Sequence, residues 1–527
     1  MKHLFLLFIL STTLSLAKAQ TERSFDSISP EKASQLIVGG TVRYADFGAK
    51  GDGKTDDINA IAAAHEFANK HQLKVMADER ATYYIGGKDQ TAIIQTDTDF
   101  GKAAFLIDDR TVENRNAPIF LVKSSQEETK LDSISSLKRN QLKIDVSLPQ
   151  AALIAVTNSN VKHYIRFGLN PTNGSPQTDI FLVDKNGTVD SKAPIIWDFD
   201  QITEITALPI DEKTLNITGG IFTTIANQEP SEYNYYQRNI SVQRSNVVID
   251  GLEHHISGEG QSGAPYSGFV SISYATNVTV KNTILTGHKT YVTIGRADKP
   301  VSMGSYDILV NRALNVSFIN VSQTNDIDDN TYWGIMGSNY SKNLLFDNCT
   351  LSRFDAHMGV ANATIRNSTL GHMGINAIGS GTFLVENSEI RGRNLINLRA
   401  DYGSTWKGEL IIRDCTFVPA GGRSVTASLI GGHNSGQHDF GYTCYMPEKI
   451  TIENLKIDDS NHPKGYEGPT IFGDFNSENT RASYKEPFPY LITQEVNLKK
   501  VSTSSGKEVR VSDNEWMFRK VKVTRNE

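Results

Sequence analysis

A short phrase recurs through the second half of the chain: a small polar residue, an alternating apolar strand, an Asn or Asp, then a further apolar pair. It reads Asn277-Val278-Thr279-Val280-Lys281-Asn282, Asn343-Leu344-Leu345-Phe346-Asp347-Asn348, Asn362-Ala363-Thr364-Ile365-Arg366-Asn367, Thr382-Phe383-Leu384-Val385-Glu386-Asn387 and Lys449-Ile450-Thr451-Ile452-Glu453-Asn454. Looser copies begin at Asn246, Asn315 and Glu409. Self-similarity at a fixed period of about 20 residues marks a solenoid, in which each repeat buries its apolar face only against its neighbours. Such a stack grows in one dimension, so a chain of 527 residues need not divide into several globular domains.

The N-terminus reads as a secretory leader over 1–19: Met1-Lys2-His3 supplies the charge, Leu4 to Leu16 the apolar stretch, and Ala17-Lys18-Ala19 the small residues before a cleavage point. The expectation is an exported protein, periplasmic or secreted, and no later apolar run is long enough to insert into a bilayer. A net charge of -6 argues against a nucleic-acid binder, which carries a basic excess or stripe. It leaves room for an acidic polysaccharide held by a local basic groove.

Cys349, Cys415 and Cys444 are the three cysteines. The first two hold the same place in the repeat, with Ser368 and Ser388 there in the coils between. Three rungs of roughly 4.8 Å each separate them by about 14 Å, beyond disulfide reach. Buried thiols are expected. Several Asn-X-Ser/Thr sequons, among them Asn277, Asn315, Asn348 and Asn367, fall on the repeat's own turn position, where a stacked side chain would preclude glycosylation.

Near the start stands Val42-Arg43-Tyr44-Ala45-Asp46-Phe47-Gly48-Ala49-Lys50-Gly51-Asp52-Gly53-Lys54-Thr55-Asp56-Asp57. This segment resembles the opening of the pectate-lyase-like superfamily of right-handed parallel β-helix proteins. The resemblance implies an all-β, single-stranded β-helix; lyases, hydrolases, epimerases and phage tailspikes share it, so it names no reaction. Thr55 is placed to cap a helix whose apolar face would be Ile58, Ile61, Ala62, His65, Phe67 and Ala68, covering the open end of the stack. The organisation read from this is a linker over 20–40, an N-terminal cap and first coils over 41–130, and a β-rich insertion over 131–215, where the repeat phrase is missing. Coils then fill 216–463, and a C-terminal cap or tail runs over 464–527. Strand-like pieces within the insertion are Leu142 to Val146, Ala152 to Val156 and Ile180 to Val183, and in the tail Val509-Arg510-Val511 and Val521-Lys522-Val523.

Alternate residues of a β-helix strand point outward, and equivalent positions on adjacent rungs stack. Aligning the second strand of each coil puts Met358, Val360, Ile375, Ile396 and Leu398 inward and His357, Asn376, Asn397 and Arg399 on one outward stripe. Nearby turns add Arg353, His372, Arg393, Tyr402 and His433, while Tyr332 and Trp333 offer sugar-stacking faces and His288 with Lys289 extends the stripe upstream. These types suit β-elimination on a uronic acid. The substrate carboxylate must be neutralised as the enolate develops, a base must reach the C5 proton, and an acid must help the glycosidic oxygen leave. The roles expected are His357 as base, Arg399 with Asn376 and Asn397 at the carboxylate, and Tyr402 or Tyr332 as proton donor. Asparagine ladders also serve as packing devices, and Arg353 and Asp355 could simply pair.

The acidic phrase Asn325-Asp326-Ile327-Asp328-Asp329-Asn330 has two chemical readings beside that of a solvated loop. Asp326, Asp328 and Asp329 could hold Ca²⁺, a hard ion that prefers oxygen. Asp326, Asp328 or Asp355 could instead serve an inverting glycosidase; the polygalacturonase motifs of this fold appear here only as distorted hints. The leading expectation is an exported polysaccharide lyase acting on a uronate-containing glycan. Resemblance to the less-studied lyases of the fold makes chondroitin or hyaluronan a plausible substrate class beside pectic glycans. The alternatives are a hydrolase on the same fold or a non-catalytic carbohydrate-binding β-helix.

Overall fold

The computed structural model describes residues 28–526 apart from 435 and 437. The expected leader and the first part of the expected linker lie outside the described residues. Within them the repeat phrases pair rung on rung as parallel strands. Val247, Val278, Val316, Leu344, Ala363, Phe383, Leu410, Ile450, Val496 and Val523 form one column in unbroken register. All but Val523 are buried in a single continuous core. Burial of each larger member contributes about 1.5–3 kcal/mol, and a one-residue slip would turn the whole column to solvent. The chain is a parallel β-helix, with 27 strands in its main sheet among the described residues.

The turn residues explain why Asn recurs. Asn277, Asn315, Asn343 and Asn362 have φ of 57°, 55°, 55° and 62°, the left-handed region that Asn enters more readily than other side-chain-bearing residues. Each amide Nδ2 donates to the Oδ1 of the Asn one coil earlier, from Asn277 to Asn246 through Asn362 to Asn343, at 2.9–3.1 Å. A second ladder runs through Asn282, Asn320 and Asn348. The sequon amides of Asn277, Asn315, Asn348 and Asn367 are therefore spent on rung-to-rung bonds. Asn343→Ala should cost about 2 kcal/mol, because it loses amide bonds and places a Cβ-bearing residue without Asn's local compensation at positive φ. Asn343→Gly should recover about half of that. Urea unfolding of the two variants separates the parts, and equal midpoints would show that backbone strain contributes nothing.

The period is not constant. Successive ladder partners lie 31, 38, 28 and 19 residues apart, so the 20-residue spacing holds only for the tight coils, and the longer ones extrude loops that build the surface. The three cysteines are free and buried. Burial pushes the thiols of Cys349 and Cys415 up to about 11 and that of Cys444 up to about 12.

Several expectations need correction. A helix, Pro30–Gly39, occupies part of the segment read as a linker; Ser29 caps it and Gly40 closes it at φ 69°. The second helix, Ile58–His71, packs on the first rungs, but its N-cap is Asp57, not Thr55. Thr55 lies in a short strand and bonds Asp52, while the Asp57 carboxylate accepts from the backbone N–H groups of Lys50 and Gly51. Ala64 rather than Ala62 completes the helix's buried face. Parallel pairing continues through Glu495–Thr503 and Lys522–Asn526, past the boundary drawn at 463. Residues 142–146 form no strand, because the segment makes only an isolated bridge at Lys143; Arg510 likewise makes a single bridge to Thr470.

Between the strands Phe120–Lys123 and Leu215–Ile225 the chain leaves the stack to build a four-stranded antiparallel sheet. Its order is Ser175–Val183, Ala152–His163, Glu204–Pro209, Thr129–Lys130. One face has its own core around Leu137, Ile154, Val156, Phe181 and Phe199. The other turns Leu153 and Ile180 onto Leu314 of the solenoid. The buried pair Lys342–Asp179, at 2.8 Å, ties the two layers and sets where the insertion's loops meet the coil surface.

Candidate functional site

The long strand Thr350–Arg366 pairs with its neighbours through irregularities at Leu351/Arg353 and at Ser338/Asn339. These breaks move the register from the one expected. Asp355, not His357, lies opposite Asn376, and Asn376 lies opposite Asn397. The outward column is therefore Asp355, Asn376, Asn397, with Phe354, Ala356, Ile375, Ala377, Ile396 and Leu398 turned into the core. Val360 is also in that core, but Met358 is not: it is half-buried against Tyr164, Ile378 and Tyr402 on the outside. The amides continue the column, Asn397 Nδ2 donating to Asn376 Oδ1 at 2.8 Å and Asn376 Nδ2 to the Met373 carbonyl at 2.8 Å.

Around the column sits an alternating chain of charges. Arg399 donates through Nη1 to both Asp355 oxygens at 2.9 and 3.0 Å, and through Nε and Nη2 to Asp401 at 3.0 and 2.8 Å. Arg353 pairs with Asp355 Oδ2, which Arg399 also reaches, as i and i+2 residues on one strand face can. Arg166, from the insertion, reaches Asp401 at 2.9 Å. Three guanidiniums thus meet two carboxylates. Burial would raise the Asp355 carboxyl, but Arg353 and Arg399 outweigh it and hold the group below its ordinary value. At Asp401, too, burial is outweighed, by Arg399 and Arg166. Arg399 spends Nε, Nη1 and one Nη2 proton on the Asp355 and Asp401 carboxylates, which leaves its second Nη2 proton for the substrate carboxylate expected there. Arg353, 4% exposed, keeps Nε and Nη1 without protein partners and lies 5.1 Å from the centre of the Trp333 ring, whose own Nε1 is also unpartnered.

His357 stands two residues beyond Asp355. Its Nδ1 is 3.0 Å from Asn339 Oδ1, which selects the Nδ1–H tautomer, and its Nε2 is 3.3 Å from the Tyr402 hydroxyl. Tyr402 is set there by the single 3₁₀ turn Ala400–Tyr402, which Gly403 ends at φ 89°. Burial, then the Arg399 charge, lowers the imidazole to about 3, and burial pushes the phenol above its usual value. The pair is a neutral imidazole accepting from a protonated phenol.

The other expected residues scatter. His372 bonds the Ile327 carbonyl at 2.9 Å, and Arg393 and His433 are exposed on turns. Tyr332 bridges Lys289. Lys289 bonds Glu259 through its backbone N–H, and His288 is buried between Glu259 and Asp307. That places His288 in a sealed polar network with His254, whose Nδ1 is 2.8 Å from Asp307 and whose Nε2 is 2.9 Å from Thr224 Oγ1. In the acidic phrase, Asp328 pairs with Arg391 at 2.6 Å, and Asp326 and Asp329 accept bonds within their own turns. No group of three or more His, Cys, Asp or Glu able to hold a metal ion occurs among the described residues. Sequence reasoning missed Arg166, Asp401 and Asn339. Asp401 follows Arg399 by two residues, on the turn that carries Tyr402, whereas Arg166 lies 235 residues from its partner and carries no local signal.

No family model matches the chain. A stretch of 115 residues is 30% identical to a capsule KL64-specific depolymerase of Klebsiella phage P510, and the match spans 19% of this chain and only 11% of that protein. Among solved structures, the tailspike gp49 of Pseudomonas phage LKA1 is similar at 13% identity and a TM-score of 0.49, over 88% of this chain and 81% of that one. The tailspike gp61 of Pseudomonas phage phi297 gives 13% and 0.48 over 88% and 80%. An exopolygalacturonase from Thermotoga maritima gives 12% and 0.30 over 90% and 92%.

Proposed function

We propose that the protein is an exported enzyme that cleaves a uronate-containing acidic polysaccharide by β-elimination. The observation that carries this reading is the His357–Tyr402 pair, an imidazole kept neutral and oriented by Asn339 with a phenol proton on its Nε2 edge. With substrate bound, the Tyr402 O–H turns from Nε2 to the glycosidic oxygen; the freed Nε2 of His357 takes the C5 proton, the C4–C5 double bond forms as the C4–O bond breaks, and Tyr402 gives its proton to the leaving oxygen and regains one from the imidazolium. Neutralisation of the sugar carboxylate falls to the surplus positive charge of the Arg166, Arg353 and Arg399 cluster and to the amide of Asn397. An inverting hydrolase needs a carboxyl raised enough to stay protonated. Both carboxyls at this site, Asp355 and Asp401, are instead held below their ordinary values, which favours elimination. The likeness to a capsule depolymerase supports a polysaccharide substrate.

The test is a panel of chondroitin sulfate, hyaluronan, heparan sulfate, alginate and pectate, followed by ultraviolet absorbance of the unsaturated uronate alongside new reducing ends. Both signals should rise together on at least one glycan. Reducing ends without absorbance would make the enzyme a hydrolase, and silence on all five would leave a binding protein.

A further inference from the structure

Where the insertion meets the coils, a cavity of about 290 Å³ opens beside Tyr164, and neither His357 nor Tyr402 lines it. Its walls are aromatic. Tyr164 packs edge-on to Tyr340 and Tyr442 at 5.5 and 5.1 Å, and Trp197 lies 6.2 Å from Tyr442. Its charges are unbalanced. Four charged residues line it: Arg139, Asp179, Lys342 and Lys407. Asp179 and Lys342 consume each other in their buried pair. Arg139 is exposed and Lys407 rests its ammonium 4.7 Å over the Tyr445 ring, so neither is offset by a carboxylate of the lining. His163, 4% exposed and also lining the cavity, keeps its Nδ1 without a protein partner.

We propose that this cavity is a second saccharide site, which holds one acidic sugar unit apart from the His357–Tyr402 pair. The sugar's C–H face lies on the aromatic wall, its carboxylate meets Arg139 and Lys407, and a hydroxyl reaches His163 Nδ1. An apolar wall with a few convergent polar groups is the usual build of a small-molecule site, and charge-assisted contacts to Arg and Lys select an anion over a neutral ring. The choice of an acidic sugar rests on the function proposed above; the site itself rests on the cavity and its charges.

The experiment is equilibrium titration of glucuronate, with glucose as the neutral control, into wild type, His357→Ala, Lys407→Met and Arg139→Ala, by calorimetry and by Trp197 fluorescence. Glucuronate should bind wild type and His357→Ala alike and weaken about tenfold in each cation variant. In Trp197→Phe the fluorescence change should vanish. Arg139 is on the surface, so that variant keeps the test readable should Lys407→Met fold poorly. Unchanged binding in both cation variants, equal binding of glucose, or no binding at all would overturn the proposal. Loss in His357→Ala alone would put the sugar at the His357–Tyr402 pair, overturning the second site while leaving the proposed function standing. Binding here without turnover of any glycan would do the reverse.

Discussion

His357→Ala is expected to lower kcat/KM on the cleaved glycan by about 10²–10⁴-fold, the range for removing a general base, with little change in the thermal midpoint. Tyr402→Phe should lose a comparable factor through the leaving-group step. The pH profile separates a chemical role from a structural one. Burial and Arg399 lower the His357 imidazole to about 3, so the neutral, base-competent form persists at every pH above that. The acid limb of kcat/KM should therefore be absent near 6.5, where an ordinary histidine titrates, and rate should fall only as pH approaches about 3, as far as the fold persists there. A wild-type limb centred near 6.5 would assign the base to another group, and a His357→Ala variant with full turnover would remove it from the mechanism. Asn339 acts through His357 as a positioning residue. Asn339→Leu should lower kcat more than it raises KM, because the tautomer is no longer held while the binding surface remains.

The coil stack was legible because its information is local and redundant. Each phrase alternates with period 2 and ends on a residue tolerant of positive φ, as at Asn348 and Asn367, so every copy states the same inward face. The second strand of each coil lacks that redundancy. An alternating pattern gives the face but not the offset between rungs, and the irregularities beside Arg353 and Asn339 shift the pairing without leaving a mark in composition. His357 was therefore set opposite the wrong neighbour, in the place that Asp355 takes. Arg166 and the Lys342–Asp179 tie lay beyond reach for another reason: both depend on how a separate antiparallel sheet docks, which is decided by contacts such as Leu153 and Ile180 on Leu314. The acidic phrase around Asp328 left a solvated loop, a cation site and a hydrolase pair all open, because its partner Arg391, 63 residues away, is invisible to local reading.

Asp355→Ala is expected to destabilise the protein by about 3–5 kcal/mol, the cost of leaving buried charge uncompensated. Asp355 is fully buried, and its two oxygens take bonds from Arg353 and Arg399. Without it Arg353, already short of partners at Nε and Nη1, has no counter-charge, while Arg399 keeps Asp401. Asp355→Asn should cost nearly as much, since it preserves shape but not charge. Asp401→Asn should cost less, because that carboxylate is 21% exposed and water screens the loss. The pH dependence follows with a definite sign: the folded-state value of Asp355 is depressed, so its contribution is complete above the unfolded-state value of about 3.9 and is lost as pH falls through the folded value. Acid unfolding of wild type should thus steepen below about pH 4, and Asp355→Asn should lack that part of the slope. The double variant Arg353→Leu with Asp355→Leu decides between pairing and packing. It should recover much of the single-variant loss, since replacing a buried ion pair by apolar side chains is often close to neutral. Should the double variant fall as far as the sum of the singles, Arg353 and Asp355 act independently, and the charge chain through Arg399 and Asp401 is not one unit.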